Sequence, residues 1–437
     1  MAGASPEQPL ARVALVGLGC RAGRADLEAL AGALPEGTTL AASGGQAELV
    51  VVATCALTSD AERASRQAVR RALRDHPGAR IVAAGCYAQR CPGALSELPG
   101  VAAVVGARAH RHLPRVLHRL ARGEPVGAAA GPAEGEPAWD EGAGEHHGRT
   151  RPVLKVQDGC DQGCAYCAVP LARGPSRSMP FASALSRAGA LRRLHAEVVL
   201  AGVHLGAYGR DLSPPHTLAE LVLALSRSAG GRLRLSSIEP QEVPLQLWRD
   251  DEARAALCPH LHLPLQSGSS RVLEAMRRPY RPGEFARTVE AAAALLPGAC
   301  LGADVLAGFP GESEADHRAT VALVSSLPLA YLHVFPFSPR PGTRAARAAG
   351  AVPPAVRRER AAELRSVSDG LRAAFLGGLV GRTLEVVVER AEGDECRGTS
   401  REFASVRWPR GDERRGELTH VRVRGRDRVG CWGLAVP

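Results

Sequence analysis

The N-terminal part of the chain alternates short unbroken apolar runs with amphipathic stretches. Arg12–Gly19 (RVALVGLG), Glu48–Thr54 (ELVVVAT), Arg80–Gly85 (RIVAAG) and Val101–Gly106 (VAAVVG) have the continuous hydrophobicity of strands buried on both faces. Ala61–Arg74 instead spaces its apolar positions as a helix does, one side polar and basic, with Ser59-Asp60 as the expected caps. This alternation predicts a doubly wound parallel sheet for residues 1–122. From 123 to 148 the pattern lapses into Gly, Ala, Pro, Glu and His, the composition of a linker.

Residues 149–375 repeat the strand–helix rhythm six times. The strand-like runs are Pro152–Gln157, Val198–Leu205, Arg232–Ile238, His260–Leu265, Leu301–Phe309 and Tyr331–Phe337. Six such units predict a partial (β/α)6 barrel with its chemistry at the carboxyl ends of the strands. Loops rich in glycine follow several of them, including the one at Gly202, and bare backbone there lets a cofactor approach. Over 376–437 the period changes to two: Thr383–Glu389, Phe403–Trp408 and Glu417–Arg424 read as strands of a small antiparallel barrel.

Cysteines fall at telling places in this frame. Cys160, Cys164 and Cys167 follow the first strand of the central segment with the spacing C-x3-C-x2-C. A structural zinc site wants four ligands, and three thiolates on one loop suit a four-iron cluster with one iron left open. A zinc knuckle completed by a distant histidine (His146, His147 or His195) is compatible with the spacing. Cys20, Cys55 and Cys86 each end a separate N-terminal strand, the edge where open α/β sheets bind ligands, so they are expected to converge as a second three-cysteine set. Cys91, Cys258, Cys300, Cys396 and Cys431 lack such a pattern and read as structural.

Composition narrows the setting. The 437 residues include 11 cysteines, an odd number, and the chain opens with no apolar run long enough for a signal or a membrane span. A reducing cytoplasm, thiols free for metal, and no membrane partner are therefore expected. The net charge of +10 favours a polyanionic partner. Lys155 is the only lysine, so this arginine abundance reflects compositional bias as well as any phosphate binding. In the last segment Arg382, Arg397, Arg401, Arg407, Arg422 and Arg424 are interleaved with Phe403 and Trp408, as in surfaces that track an RNA backbone and stack its bases.

The loop VQDGCDQGCAYC resembles the signature of the radical S-adenosylmethionine (SAM) enzymes, and the whole chain resembles the methylthiotransferases among them. Within that family it is most similar to the tRNA threonylcarbamoyladenosine methylthiotransferases, through ASRQAVRR (64–71), AGCYAQ (84–89), RGPSRS (173–178), SSIEP (236–240), HLHLPLQSG (260–268) and HVFPFS (333–338). It departs from the family beside the N-terminal cysteines, with Arg21-Ala22-Gly23-Arg24 and Ala53 where asparagines are usual.

The resemblance implies that Cys160, Cys164 and Cys167 hold the [4Fe-4S] cluster that cleaves SAM to a 5′-deoxyadenosyl radical, with Tyr166 near the adenine and Gly202 near SAM. It implies an auxiliary [4Fe-4S] cluster on Cys20, Cys55 and Cys86, a C-terminal TRAM-like RNA-binding domain, and an electron donor such as flavodoxin or ferredoxin besides a sulfur source. The implied reaction converts C–H to C–S–CH3 at C2 of the modified adenosine at position 37, in the anticodon stem-loop of tRNA. Isopentenyladenosine in tRNA and an aspartate of a ribosomal protein are alternative acceptors. A zinc-containing, non-enzymatic RNA-binding protein is the alternative of another class.

Overall fold

The computed structural model describes residues 11–34, 38–41, 45–126 and 150–436, and these form two compact units. The stretch proposed as a linker, with His146 and His147, lies almost wholly outside them. The first unit comprises the described residues up to 126 together with Gly159–Asp161 and Cys167–Pro175. Its sheet is wholly parallel, in the order β2-β1-β3-β4-β5: β1 Arg12–Gly17, β2 Thr39–Leu40, β3 Leu49–Thr54, β4 Arg80–Gly85 and β5 Val101–Gly106. Every residue of β3 is buried because helices cover both faces. Val51, Ala53 and Val82 pack with Leu27 and Leu30 on one side, and Val50, Val52 and Ile81 with Val69 and Ala72 on the other.

Helices α1 (Arg21–Gly32), α2 (Ser59–Asp75) and α3 (Cys86–Arg90) each start shortly beyond a strand end. The capping expectation for α2 is corrected. Thr58 is the cap, its hydroxyl accepting from the Ala61 N–H at 3.1 Å, while Ser59 and Asp60 lie in the first turn.

The second unit carries two sheets and a barrel. β6 (Val153–Asp158), β7 (Arg177–Ser178), β8 (Glu197–Gly202) and β9 (Arg232–Leu235) form the order β7-β6-β8-β9, with only β7 antiparallel. β10 (His260–Gln266), β11 (Cys300–Ala307) and β12 (Tyr331–Pro336) form a parallel trio. The six expected parallel strands are present, divided between two sheets. Two of them stop three residues short of the apolar runs. β8 ends at Gly202 because the chain turns at once into Leu205–Ala207, and β9 ends at Leu235 before the Pro240 turn.

The long helix Pro354–Gly377 leads to a closed five-stranded barrel in the order β13-β14-β15-β17-β16. Its strands are β13 Thr383–Glu392, β14 Glu395–Ser400, β15 Ser405–Pro409, β16 Leu418–Arg426 and β17 Cys431–Val436. β14 and β17 had no clear hydrophobic alternation and were not expected. Among the described residues no helix is long and apolar enough to cross a membrane.

Candidate active site

In the first unit the order 2-1-3-4-5 reverses direction between β1 and β3, and the crevice at the carboxyl ends beside such a reversal is where ligands bind. Cys20 follows β1, Cys55 follows β3 and Cys86 follows β4, three neighbouring strands. Glycines let the thiols approach. A Cβ on Gly19 would lie 3.1 Å from Cys55 Cβ and 3.3 Å from its Sγ. Gly85, at φ +105, would put one 2.7 Å from the Thr54 carbonyl oxygen. Thr54 fixes this edge, its hydroxyl donating to the Ala84 carbonyl at 2.7 Å and accepting from the Ala88 N–H at 3.1 Å.

Burial pushes the Cys86 thiol up to about 11; Arg173 opposes the rise, and the thiols of Cys20 and Cys55 add to it. Cys20 and Cys55 therefore both lie within electrostatic reach of Cys86. Arg173 is itself buried and donates to Asp26 at 2.8 Å. Three clustered thiols beside a buried guanidinium suit an anionic metal–sulfur group.

The second cysteine set lies on the loop after β6. Gly159 opens it at φ +73, where a Cβ would sit 1.8 Å from the Pro175 carbonyl oxygen. Cys160 N–H donates to the Gly174 carbonyl at 3.1 Å. Further along, Ala165 N–H donates to Met276 O at 2.9 Å, and Ala165 O accepts from Ala345 N–H at 2.8 Å. Val169 N–H points at Cys167 Sγ from 3.5 Å. Tyr166 packs against the cluster that contains Val272, Met276, Phe309 and Phe337.

Arg278 was not singled out by the sequence. Its side chain is 3% exposed, donates to Cys164 Sγ at 3.2 Å and to Tyr280 Oη at 3.0 Å, and is paired with Glu239. Burial alone would weaken its hold on the proton, but the Glu239 carboxylate and the Cys164 sulfur beside it keep it charged. A fixed cation on one of three thiols, with no fourth cysteine or histidine on the loop, suits an anionic cluster with one open iron.

Gly202 ends β8, and a Cβ there would meet Leu205 Cα at 2.9 Å and Gln157 Oε1 at 3.0 Å. Gln157 Oε1 accepts from His204 N–H at 2.6 Å, and His204 Nε2 lies 2.8 Å from Glu242. The bare Cα of Gly202 is thus needed for the turn itself.

The RNA-contact expectation changes on the C-terminal barrel. Trp408 is 2% exposed, part of the barrel core, and its indole N–H donates to Glu413 at 3.0 Å, so it cannot stack on a base. Phe403 is turned inward against His260, ring centroids 4.2 Å apart, with the Arg234 guanidinium 5.0 Å from its centroid. Arg401 is spent on the carbonyls of Arg254 and Leu257, both at 2.9 Å. Arg422 and Arg424 do face solvent on β16, Arg407 is exposed and paired with Asp427 at 2.8 Å, and Arg382 is exposed near Glu402 at 3.6 Å. The exposed aromatic is Trp432, at 44%, opposite Arg407 on β15 and Gly425 on β16. It escaped notice because CWGLAV has little hydrophobic contrast.

Parallel β/α units with three thiols on the loop after the first of their strands define a radical-SAM protein. Residues 154–324 match the radical SAM superfamily model, and residues 12–106 match that of the uncharacterized protein family UPF0004. The threonylcarbamoyladenosine tRNA methylthiotransferase MtaB of Thermotoga maritima is 33% identical over 374 residues, 85% of this chain and 85% of that one. MtaB of Bacillus subtilis is 33% identical over 87% of this chain and 86% of its own. A tRNA-2-methylthio-N(6)-dimethylallyladenosine synthase of Parafrankia is 34% identical over 93% and 82%. The radical SAM methyltransferase TsrM of Kitasatospora setae shares the fold, with TM-score 0.53 at 16% identity over 74% of this chain and 73% of that one. The chain belongs to the radical-SAM methylthiotransferase family, whose members work with SAM and an iron–sulfur cluster.

Proposed function

We propose that this enzyme methylthiolates C2 of N6-threonylcarbamoyladenosine at position 37 of tRNA. The observation that carries the reading is the pairing of two three-thiol sets in one chain that is similar over most of its length to MtaB proteins. Cys160, Cys164 and Cys167 would hold one [4Fe-4S] cluster, and Cys20, Cys55 and Cys86 a second. Bound together, SAM and the clusters would supply the carbon radical, the sulfur and the methyl group that an unactivated C–H bond requires.

The chain's own residues bind and orient. Arg278 would hold the Cys164 thiolate with a charged hydrogen bond, and Tyr166, packed at the same loop, would flank the adenine of SAM. Gly202 would keep the β8 turn low enough for SAM to lie over it. Residues 1–122 would carry the auxiliary cluster, 149–375 the radical chemistry, and 376–437 the RNA contact, with 123–148 as linker. Arg407, Arg422, Arg424 and Trp432 supply cations and one aromatic plane on the barrel surface, with Arg382 a further exposed cation, for a single-stranded anticodon loop. Flavodoxin or ferredoxin would bring the electron, a separate sulfur source would replenish the auxiliary cluster, and the enzyme would act in the cytoplasm.

Dimethylallyladenosine, the acceptor in the name of the Parafrankia relative, is the competing substrate, and the MtaB matches do not favour it. Anaerobically reconstituted enzyme given SAM, reductant and two anticodon stem-loops, one bearing each modification, decides between them. Selective gain of a methylthio group on the threonylcarbamoyl substrate supports the proposal. Turnover of only the dimethylallyl substrate sinks it.

A further inference from the structure

Strands β10, β11 and β12 present a polar cluster on one face. Leu261, Leu263, Leu301, Ala303, Val305 and Leu332 alternate with it and are buried on the opposite face. On the polar face His262 Nε2 lies 2.9 Å from Asp304 Oδ1, and His333 Nδ1 lies 3.4 Å from the same oxygen. The three donor atoms all lie within 4.8 Å of one another. Asp304 stands directly opposite His333 in the parallel register, and His262 stands opposite Gly302, one pleat away.

From this geometry we propose that His262, Asp304 and His333 form a site for a divalent transition cation, distinct from both cysteine sets. Two donors bound to one ion at about 2.1 Å, at octahedral or tetrahedral angles, stand roughly 3.0–3.4 Å apart. The two separations from Asp304 fall close to that interval, so a cation can take the place of the shared proton with little movement of those donors. Two imidazoles and one carboxylate suit zinc or ferrous iron rather than magnesium or calcium.

The surroundings have what a ligating histidine needs. His262 Nδ1 is 3.0 Å from the Tyr331 hydroxyl, which also lies 3.1 Å from His260 Nε2. With a cation on Nε2, Nδ1 keeps the proton and donates it to Tyr331, fixing the tautomer and the ring plane. Gly302 makes this reach possible, because a Cβ there would sit 2.2 Å from the Tyr331 ring. His333 is 54% exposed, so coordination positions on its side stay open to an oxygen ligand. A plain ion-paired histidine–aspartate cluster is the competing account, and the two differ in what they retain.

The test is zinc retention by the full-length enzyme with its clusters reconstituted, after equilibrium dialysis against zinc chloride. Iron and zinc are counted together, and the zinc shell is read by X-ray absorption. The expected result is about one zinc per chain above the iron, with nitrogen and oxygen neighbours near 2.0–2.1 Å and no sulfur near 2.3 Å. His333→Ala should lose that zinc with iron unchanged, and Tyr331→Phe should bind it about tenfold or more weakly. If His333→Ala does not fold, His333→Gln replaces it. Wild-type enzyme that retains no zinc, zinc that survives the loss of His333, or a sulfur-dominated shell would each overturn the site.

Discussion

Arg278 shows what a single side chain does to the chemistry of the cysteine loop. Its N–H bond to Cys164 Sγ, made by a buried and permanently charged group, favours the more negative, reduced state of anything those thiolates hold. Arg278→Met should lower the midpoint potential by on the order of 60 mV, if the bond is worth about 1.4 kcal/mol more to the reduced form. Potentiometric titration followed by electron paramagnetic resonance reads this directly, and an unchanged potential would remove Arg278 from that role. The positions of the six cysteines at strand ends were legible because spacing and strand ends are properties of the sequence. Arg278 was not, since it stands 114 positions from the sulfur it touches and no local pattern marks the contact.

Secondary-structure elements were legible wherever hydrophobicity was continuous, and less so where it thinned. β3, β4 and β5 were readable nearly to the residue, while β14 and β17, interrupted by glycine and cysteine, were invisible. The misplaced cap of α2 gives a test: Thr58→Ala should cost about 1 kcal/mol of stability, read from a denaturation midpoint. Strand parity on the barrel gives another. Trp408→Ala empties a buried site and should destabilise the barrel by about 3–5 kcal/mol, seen by thermal melting. Trp432→Ala should leave the fold intact and weaken binding of an anticodon stem-loop by about 1–3 kcal/mol. Equal binding by the Trp432 variant and wild type would place the RNA surface elsewhere.

At the scale of the molecule, the C-terminal barrel is fastened to the β8–β9 sheet by a buried charge network. Glu197, fully buried, accepts from Arg232 at 2.8 Å and from Arg234 at 2.6 Å. Arg151 bridges Glu197 to Glu389, Arg232 reaches Glu385 at 2.8 Å and the Thr399 carbonyl at 3.1 Å, and Arg234 reaches the Ser400 carbonyl at 3.1 Å. Burial would raise the Glu197 carboxyl, but Arg234, then Arg232 and Arg151, hold it far below its ordinary 4.5. A carboxylate depressed on folding adds stability that is complete above its unfolded value and is lost as pH falls below it. Thermal stability should therefore drop below about pH 4.5 more steeply in wild type than in Glu197→Gln, which itself should be about 3–5 kcal/mol less stable at pH 7. None of this network could be read in advance, since it joins charges on strands far apart in the chain.

Nucleoside mass spectrometry of tRNA measures whether the two thiol sets act together in one methylthiolation. A strain lacking this gene is complemented with wild type, Cys164→Ala or Cys55→Ala, and its tRNA is digested. The account predicts that 2-methylthio-N6-threonylcarbamoyladenosine returns only with wild type, while the unmethylthiolated nucleoside accumulates with either variant. Full restoration by Cys164→Ala or by Cys55→Ala would contradict it.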